Sequence, residues 1–471
     1  MRRASLVLAV LALSLSGCMV GPNYRRPQVA TPDRFRGAPV ENPSASVSAP
    51  QSIAEIKWFD LFQDDTLKQL VSSALGKNFD LRIAAERVLE ARAQYGIARA
   101  NLLPTVDGQA QFTANRSSSI GSFPFIRSGT DLSASYTQAT ANLNWELDLW
   151  GRLRRLSQAA RAQYLASEEA RNGVIISLVG DVTNTYFAMR EQDLELAISK
   201  QTGDIASDNL RLINLRHDRG VANALEVHQA EQFLFTATGQ VAAAERQIGQ
   251  SENALSLLLG SAPGDIPRGK ALDQIATPPE LPPGLPSSLL ERRPDIRQAE
   301  ENLIAANAQI GAARALLFPQ VSLTGLFGGQ SRALSELFTG PARLSMIGPS
   351  VTIPIFHAGL RSGVQLTEAQ QREALAAYEK SIYGALREVS DALVVHDRTR
   401  AQRIEEEKLV ATLTESVRLS TLRYQGGLDS YLQVLDAERN LFGGQLTLAQ
   451  LRLQELQSVV QLYRVLGGGW Q

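Results

Sequence analysis

The chain has 471 residues, and Lys+Arg 47 against Asp+Glu 48 leave a formal net charge of −1. That balance excludes the basic surface a nucleic-acid binder needs and the acidic tail that would recruit a cationic partner. Aromatic content is only 6%, while Ala, Leu, Gln and Arg abound, a mixture suited to long helices rather than to a large mixed core.

The first element is a leader. Met1-Arg2-Arg3 gives a positive start, Leu6 to Leu15 a short apolar run, and Leu15-Ser16-Gly17-Cys18 a small-residue close. Residues 1–17 therefore read as a secretory signal too short to span a bilayer. The only cysteine, Cys18, sits where a bacterial lipobox places the residue that carries the acyl chains. Several acyl chains anchor stably where one does not. Met19 follows instead of an aspartate, which favours the outer membrane. Beyond the leader no run of 18 apolar residues remains, so any membrane crossing must be made by strands.

Prolines divide the rest. Six fall between Pro22 and Pro50, and residues 18–57 read as a lipidated extended linker. Prolines crowd again from Pro263 to Pro286, a connector expected over 261–286. None lies between Pro124 and Pro263 or after Pro354. Those blocks can hold long helices, because proline breaks helix interiors. Arg152–Arg219 and Leu360–Gln425 are predicted long helices, each reaching roughly 100 Å if unbroken. Shorter helices are predicted at Thr66–Leu103, Ala222–Leu259, Ser287–Leu317 and Tyr431–Leu466.

The chain repeats. Leu210–Gly260 aligns without gaps on Val417–Gly467, matching Arg211-Leu212 with Arg418-Leu419, Gly220 with Gly427, and Leu225 with Leu432. Earlier, Leu102-Leu103-Pro104 matches Leu317-Phe318-Pro319. Two copies of one unit follow, at 58–260 and 287–471, each built as short helix, strand pair, long helix, short helix.

Four segments alternate with period two, in strand pairs at 105–149 and 320–357. Val106, Gly108, Ala110 and Phe112 interleave with Asp107, Gln109 and Gln111. Ala139, Ala141, Leu143, Trp145, Leu147 and Leu149 interleave with Gln138, Asn142, Asn144, Glu146 and Asp148. Val321, Leu323 and Phe327, and then Ile347, Val351, Ile353 and Ile355, repeat the pattern. Apolar on one face and polar on the other is the pattern of a membrane barrel around a wet lumen. Four strands cannot close, and open edges are forbidden in lipid. A dimer would supply eight strands and a trimer twelve, and the count leaves both open.

These residues resemble the TolC-like outer-membrane efflux protein family, in its lipoprotein branch that serves RND-type multidrug efflux systems. The marks are Gly21-Pro22-Asn23-Tyr24-Arg25-Arg26-Pro27, then Trp58, Phe62 and Leu67, then Leu147-Asp148-Leu149-Trp150-Gly151-Arg152. They continue with Leu290-Glu291-Arg292-Arg293-Pro294-Asp295-Ile296, Pro354-Ile355-Phe356 with Gly359, Arg423-Tyr424, Leu428-Asp429-Ser430-Tyr431-Leu432, and the Gly467-Gly468-Gly469-Trp470 end. Asp65 departs from the family, which often has proline there. The resemblance implies a mostly α protein with a membrane β-barrel. That is a homotrimer with a twelve-stranded barrel on a coiled-coil helical barrel, working with a periplasmic adaptor and an inner-membrane pump. It also implies an equatorial belt at the proline-rich connector and the chain ends.

The resemblance also assigns residues. The glycine turns at Gly220 and Gly427 become the periplasmic tip. Leu432 and Asp436 form rings around the axis, an apolar constriction and an electrostatic barrier. Tyr424 and Arg439 hold the closed state. In the first copy Leu225 and Gln229 stand at the matching places, so only the second turn carries the acid. Arg211, Leu212, Arg418, Leu419 and Ser420 beside the turns are candidates for adaptor docking. No phosphate loop or His-Glu-x-x-His pattern occurs, and the four histidines are scattered, so neither catalysis nor a metal or cofactor site is expected. The function expected is the exit channel of a tripartite small-molecule efflux system. Alternatives are the outer-membrane channel of a type I protein-secretion system and a non-conducting lipoprotein scaffold.

Overall fold

The computed structural model describes residues 19–36, 62–116, 133–275 and 286–468. The expected leader at 1–17, the expected acylation site Cys18, most of the linker, Trp58, the middle of the connector and Trp470 lie outside the described residues. The elements are α1 (Asp65–Lys77), α2 (Phe79–Ala100), β1 (Thr105–Arg116), β2 (Ser133–Leu147), α3 (Arg152–Asp218) and α4 (Ala224–Leu258). They recur as α5 (Leu289–Arg292), α6 (Pro294–Ala315), β3 (Gln320–Ser331), β4 (Arg343–Thr352), α7 (Ala358–Gln425) and α8 (Tyr431–Val465). The long helices α3 and α7 have 67 and 68 residues, and α4 and α8 have 35 each, so the two copies match in length. Among the described residues no helix is long and apolar enough to cross a membrane.

The first short block of each copy is broken where one helix was expected. Asn78 separates α1 from α2: its Oδ1 accepts from the Leu81 amide at 3.0 Å, and its Nδ2 donates to the Leu258 carbonyl at 2.9 Å. An asparagine so placed caps a new helix instead of continuing the old one. In the second copy Pro294 opens α6, with α5 ending at Arg292, as proline prefers the first turn of a helix.

One packing unit contains the described residues within 1–27, 88–166 and 299–378. Its sheet runs β1-β2-β3-β4, antiparallel throughout. The register puts Val106, Leu143, Gly325 and Ile347 in one row, and Trp145 opposite Leu323. Side chains in register share a face, so the expected apolar face is continuous across all four strands. The polar face is not: Asp107 and Asn142 line up with Leu326 and Met346. Strand β2 stops at Leu147, short of the expected Leu149, because Gly151 turns the chain at φ +79°. There Arg152 forks onto Glu146, and Asp148 accepts from the Arg154 amide at 2.9 Å. Strand β4 stops at Thr352, two residues before Pro354, so Ile353 and Ile355 lie outside it.

Residues just after the leader form a strap in this unit. The Val20 amide donates to the Trp150 carbonyl at 3.0 Å. Arg155, 1% exposed, donates to the carbonyls of Val20 and Gly21 and to Asn23 Oδ1. Tyr24 and Arg26 both bond Glu300, at 3.0 and 2.7 Å. A Cβ on Gly21 would stand 2.5 Å from Gly311 Cα, so two glycines make this close approach possible.

The other unit contains the described residues within 28–87, 167–298 and 379–471. Asp64 organises one end of it, capping α1 through the Thr66 and Leu67 amides and accepting from the Tyr186 hydroxyl at 3.0 Å. The repeat holds at atomic detail. Gly260 packs on Lys77 and Gly467 packs on Arg292, at matching places in the two copies. Lys200 pairs with Glu245, while at the matching positions Glu407 pairs with Arg452, the same contact with its charges exchanged.

Replacing Arg155 with leucine removes the three hydrogen bonds that this buried side chain makes to the strap. The expected cost is about 2–4 kcal/mol, with faster protease cleavage within residues 19–27. An unchanged cleavage rate would show that the strap is held by other contacts.

Candidate functional site

Each long helix ends in the same turn. Gly220 and Gly427 take φ of +74° and +72°. The amides of Val221 and Leu428 reach back to the carbonyls of Arg216 and Arg423 at 2.9 Å. This is the left-handed glycine termination that satisfies the orphan carbonyls of a helix end. The next helices start differently. Asn223 Oδ1 caps α4 through the Glu226 amide at 3.0 Å, whereas Ser430 makes no side-chain cap on α8.

Beneath the turns the two copies share a core. Ala206, Ile213, Ala222, Ala230 and Phe233 of the first pack with Tyr431, Val434, Leu435 and Phe442 of the second. The polar contacts that cross between copies surround this core. Arg216 Nη1 donates to the Tyr424 hydroxyl at 2.6 Å, and its guanidinium stands 4.9 Å from the centre of the Tyr424 ring. Burial raises the Tyr424 hydroxyl above its ordinary pKa, and Arg216 opposes that rise. Arg439 donates to Gln232 at 3.0 Å, and these two residues occupy matching positions in the two copies. Asn209 donates to Glu438 Oε1 at 2.9 Å, while Glu438 Oε2 has no partner. Burial raises the Glu438 carboxyl, with Asn209 opposing.

Leu432 and Asp436 are both exposed, one turn apart on α8, and so project from one face. Asp436 accepts from Asn440 at 3.3 Å. Leu432 is 48% exposed and Leu225, its counterpart, 64%. Arg423 pairs with Asp429 across the second turn and holds that carboxyl below its usual range. The first copy has Ala222 at the matching place, so its turn lacks this ion pair.

The patches beside the turns are built alike. Arg211 pairs with Asp208 at 2.9 Å, and Arg418 pairs with Glu415, the matching residue, at 2.5 Å. Leu212 and Leu419 are 49% and 46% exposed. The Ser420 hydroxyl donates to the Val417 carbonyl at 3.1 Å. Sequence reasoning missed Arg216, Asn209, Gln232 and Glu438 as partners in this cluster. Arg439 and Gln232 at matching positions of the repeat were a usable signal. Among the described residues no group of three or more His, Cys, Asp or Glu is placed to hold a metal.

Amphipathic antiparallel strands, paired helices of this length and a left-handed glycine turn closing each long helix together define an outer-membrane channel subunit. A family model described as outer membrane efflux protein matches residues 70–261 and 285–468, one stretch for each copy of the repeat, and the chain belongs to that family. It is 40% identical over 464 residues to the solvent efflux pump outer membrane protein SrpC of Pseudomonas putida, covering 97% of both chains. A solved membrane protein from Pseudomonas aeruginosa is 36% identical, with a TM-score of 0.87 over 96% of this chain and all of that one. The open state of the MtrE outer membrane channel of Neisseria gonorrhoeae is 31% identical, with a TM-score of 0.85 over 96% of this chain and 99% of that one. The family is one of transport channels rather than enzymes.

Tyr424→Phe keeps the ring under Arg216 and removes only the acceptor. Amide exchange across 416–432 should quicken roughly fivefold, as expected for one hydrogen bond. Arg216→Ala also removes the cation–ring contact and should exceed that. Equal effects would show that the ring contact contributes nothing.

Proposed function

We propose that three copies of this chain form the gated exit duct of a tripartite efflux system, passing small organic molecules from an inner-membrane pump and periplasmic adaptor across the outer membrane. The single observation that carries this reading is a four-stranded sheet with an apolar face in register and two outer strands, β1 and β4, each paired on one side only. Twelve strands from three copies would close such a sheet around a lumen, where four cannot. The domain reading of the sequence stands with it. Acylation at Cys18 anchors the 18–57 linker, the copies at 58–260 and 287–471 each supply a strand pair, and the 261–286 connector joins them.

In this reading the second turn is the gate. Three copies of Leu432 make an apolar ring and three of Asp436 an acidic one. The Arg216–Tyr424 and Arg439–Gln232 contacts tether that turn to the first copy of the repeat and favour closure. Arg211-Leu212 and Arg418-Leu419-Ser420, with Gly220 and Gly427, offer the adaptor two similar docking patches. The solvent-efflux relative supports small organic cargo over exported protein.

In planar bilayers the purified protein should conduct ions, and Asp436→Ala should raise single-channel conductance severalfold by removing an electrostatic barrier. Unchanged conductance in that variant would contradict the gate assignment, and no conductance at all would contradict the channel. Deleting the gene should sensitise cells to organic solvents and drugs while leaving protein export intact. The reverse pattern would assign the duct to protein secretion.

A further inference from the structure

Away from the helix turns, in the unit that holds the long coiled coils, two carboxylates sit one helical turn apart on α3. Glu191 is 5% exposed and Glu195 4%. They border a solvent-open groove of ≈ 480 Å³ between α3, α4 and α8. Its other walls are Gln192 of α3, Gln240 and Gln247 of α4, and Gln450, Leu453, Gln454 and Gln457 of α8. No cation lines it. The charges on the flanking turns are engaged elsewhere: Arg190 by Asp193, Lys200 by Glu245, Arg452 by Glu407, Arg403 by Glu455, and Arg268 by Glu252 and Asp193.

The polar contacts distinguish the two acids. Gln450 donates its amide to Glu195 Oε1 at 3.3 Å, so one oxygen of that carboxyl has a donor. Gln192 Oε1 accepts from the Ser251 hydroxyl at 2.8 Å. Glu191 Oε1 is left buried with no partner. A buried ionised carboxylate without a donor or a counter-charge is costly, and two carboxylates in contact cannot both ionise cheaply.

We infer that Glu191 and Glu195 form a proton-binding site in the helical body, holding one proton between them at neutral pH, with Glu191 as the acid. Burial first, and then the Glu195 charge, raise Glu191 to about 8. The macroscopic step belongs to the pair. Above it, a second negative charge is held on two buried side chains at the edge of a groove lined by neutral amides, and the packing of α3 against α4 and α8 loosens. This site is independent of the gate proposed at the helix turns, where Tyr424 and Asp436 lie on other segments.

The sign follows from linkage. An acid raised from its ordinary 4.5 to about 8 keeps its proton in the folded chain after the unfolded chain has lost it. Its contribution to stability is therefore complete below about pH 4.5, falls about tenfold in folding constant per pH unit up to about 8, and is constant above that. The test uses the full-length protein in detergent. Infrared spectra of the wild type should show the carbonyl band of a protonated carboxylic acid at pH 7, fading through about pH 8 and absent in Glu191→Gln. The melting temperature of the wild type, measured against Glu191→Gln, should fall from pH 5 to 8 and then level off. Glu191→Gln keeps the shape of the neutral acid, and the wild-type spectrum alone reports the proton should that variant not fold. Three results would overturn the inference: no acid band at pH 7, a band that survives in Glu191→Gln, or stoichiometric calcium binding at pH 7 that Glu195→Gln abolishes, which would make the pair a metal site.

Discussion

A backbone amide or carbonyl left unpaired in hydrocarbon costs several kcal/mol. In this chain the sheet is four strands wide, with β1 and β4 as its outer members. Strand β1 alone runs for 12 residues. Among the described residues no strand pairs with the outer edge of β1 or β4, and the apolar row through Val106, Leu143 and Ile347 gives the sheet a face suited to lipid. Pro349, which has no amide hydrogen, sits in the outer strand β4, where a missing donor is tolerated. In the proposed trimer other copies complete this sheet, and the assembly follows from backbone hydrogen bonding more than from any particular side chain.

The repeat explains the rest of the architecture and also where it differs between copies. Turn geometry, glycine contacts and flanking ion pairs recur at matching residues. Against that uniform frame, the departures gather at the second turn. Tyr424 replaces a histidine, Asp436 a glutamine and Arg439 a glutamine, and Asp429 pairs with Arg423 where the first copy has an alanine. Exposed ionic contacts contribute little each. Tethers of that strength fit the gate proposed at this turn, while Phe233, Leu435 and Phe442 keep the core beneath it packed.

Much of this was legible in the sequence because it depends on local rules. Period-two alternation located all four strands, proline spacing bounded the long helices, and Gly220 and Gly427 marked the turns. The readings that needed correction concern element ends. Asn78 looked like an ordinary helical residue, and only its reach to the Leu258 carbonyl makes it a cap. Leu149, Ile353 and Ile355 keep the alternation going after Gly151 and Pro354 have ended the strands. What stayed hidden is which charges on a long polar helix face a neighbour. Glu191, Glu195 and Glu438 look like solvated coiled-coil charges, and only the rotation of α3 and α8 buries the first two and half-buries the third. Arg216 found Tyr424 across 208 positions of sequence, a pairing that no local period encodes.

The central claim is that copies of this chain pool their strands in the membrane. The most direct measurement is electron cryomicroscopy of the mature full-length protein in lipid nanodiscs, read for symmetry and strand number. The account predicts threefold particles in which β1 of each copy pairs with β4 of the next, twelve strands enclosing an open lumen. A monomer whose own four strands lie on the bilayer surface, or an assembly in which β1 and β4 keep free edges, would contradict it.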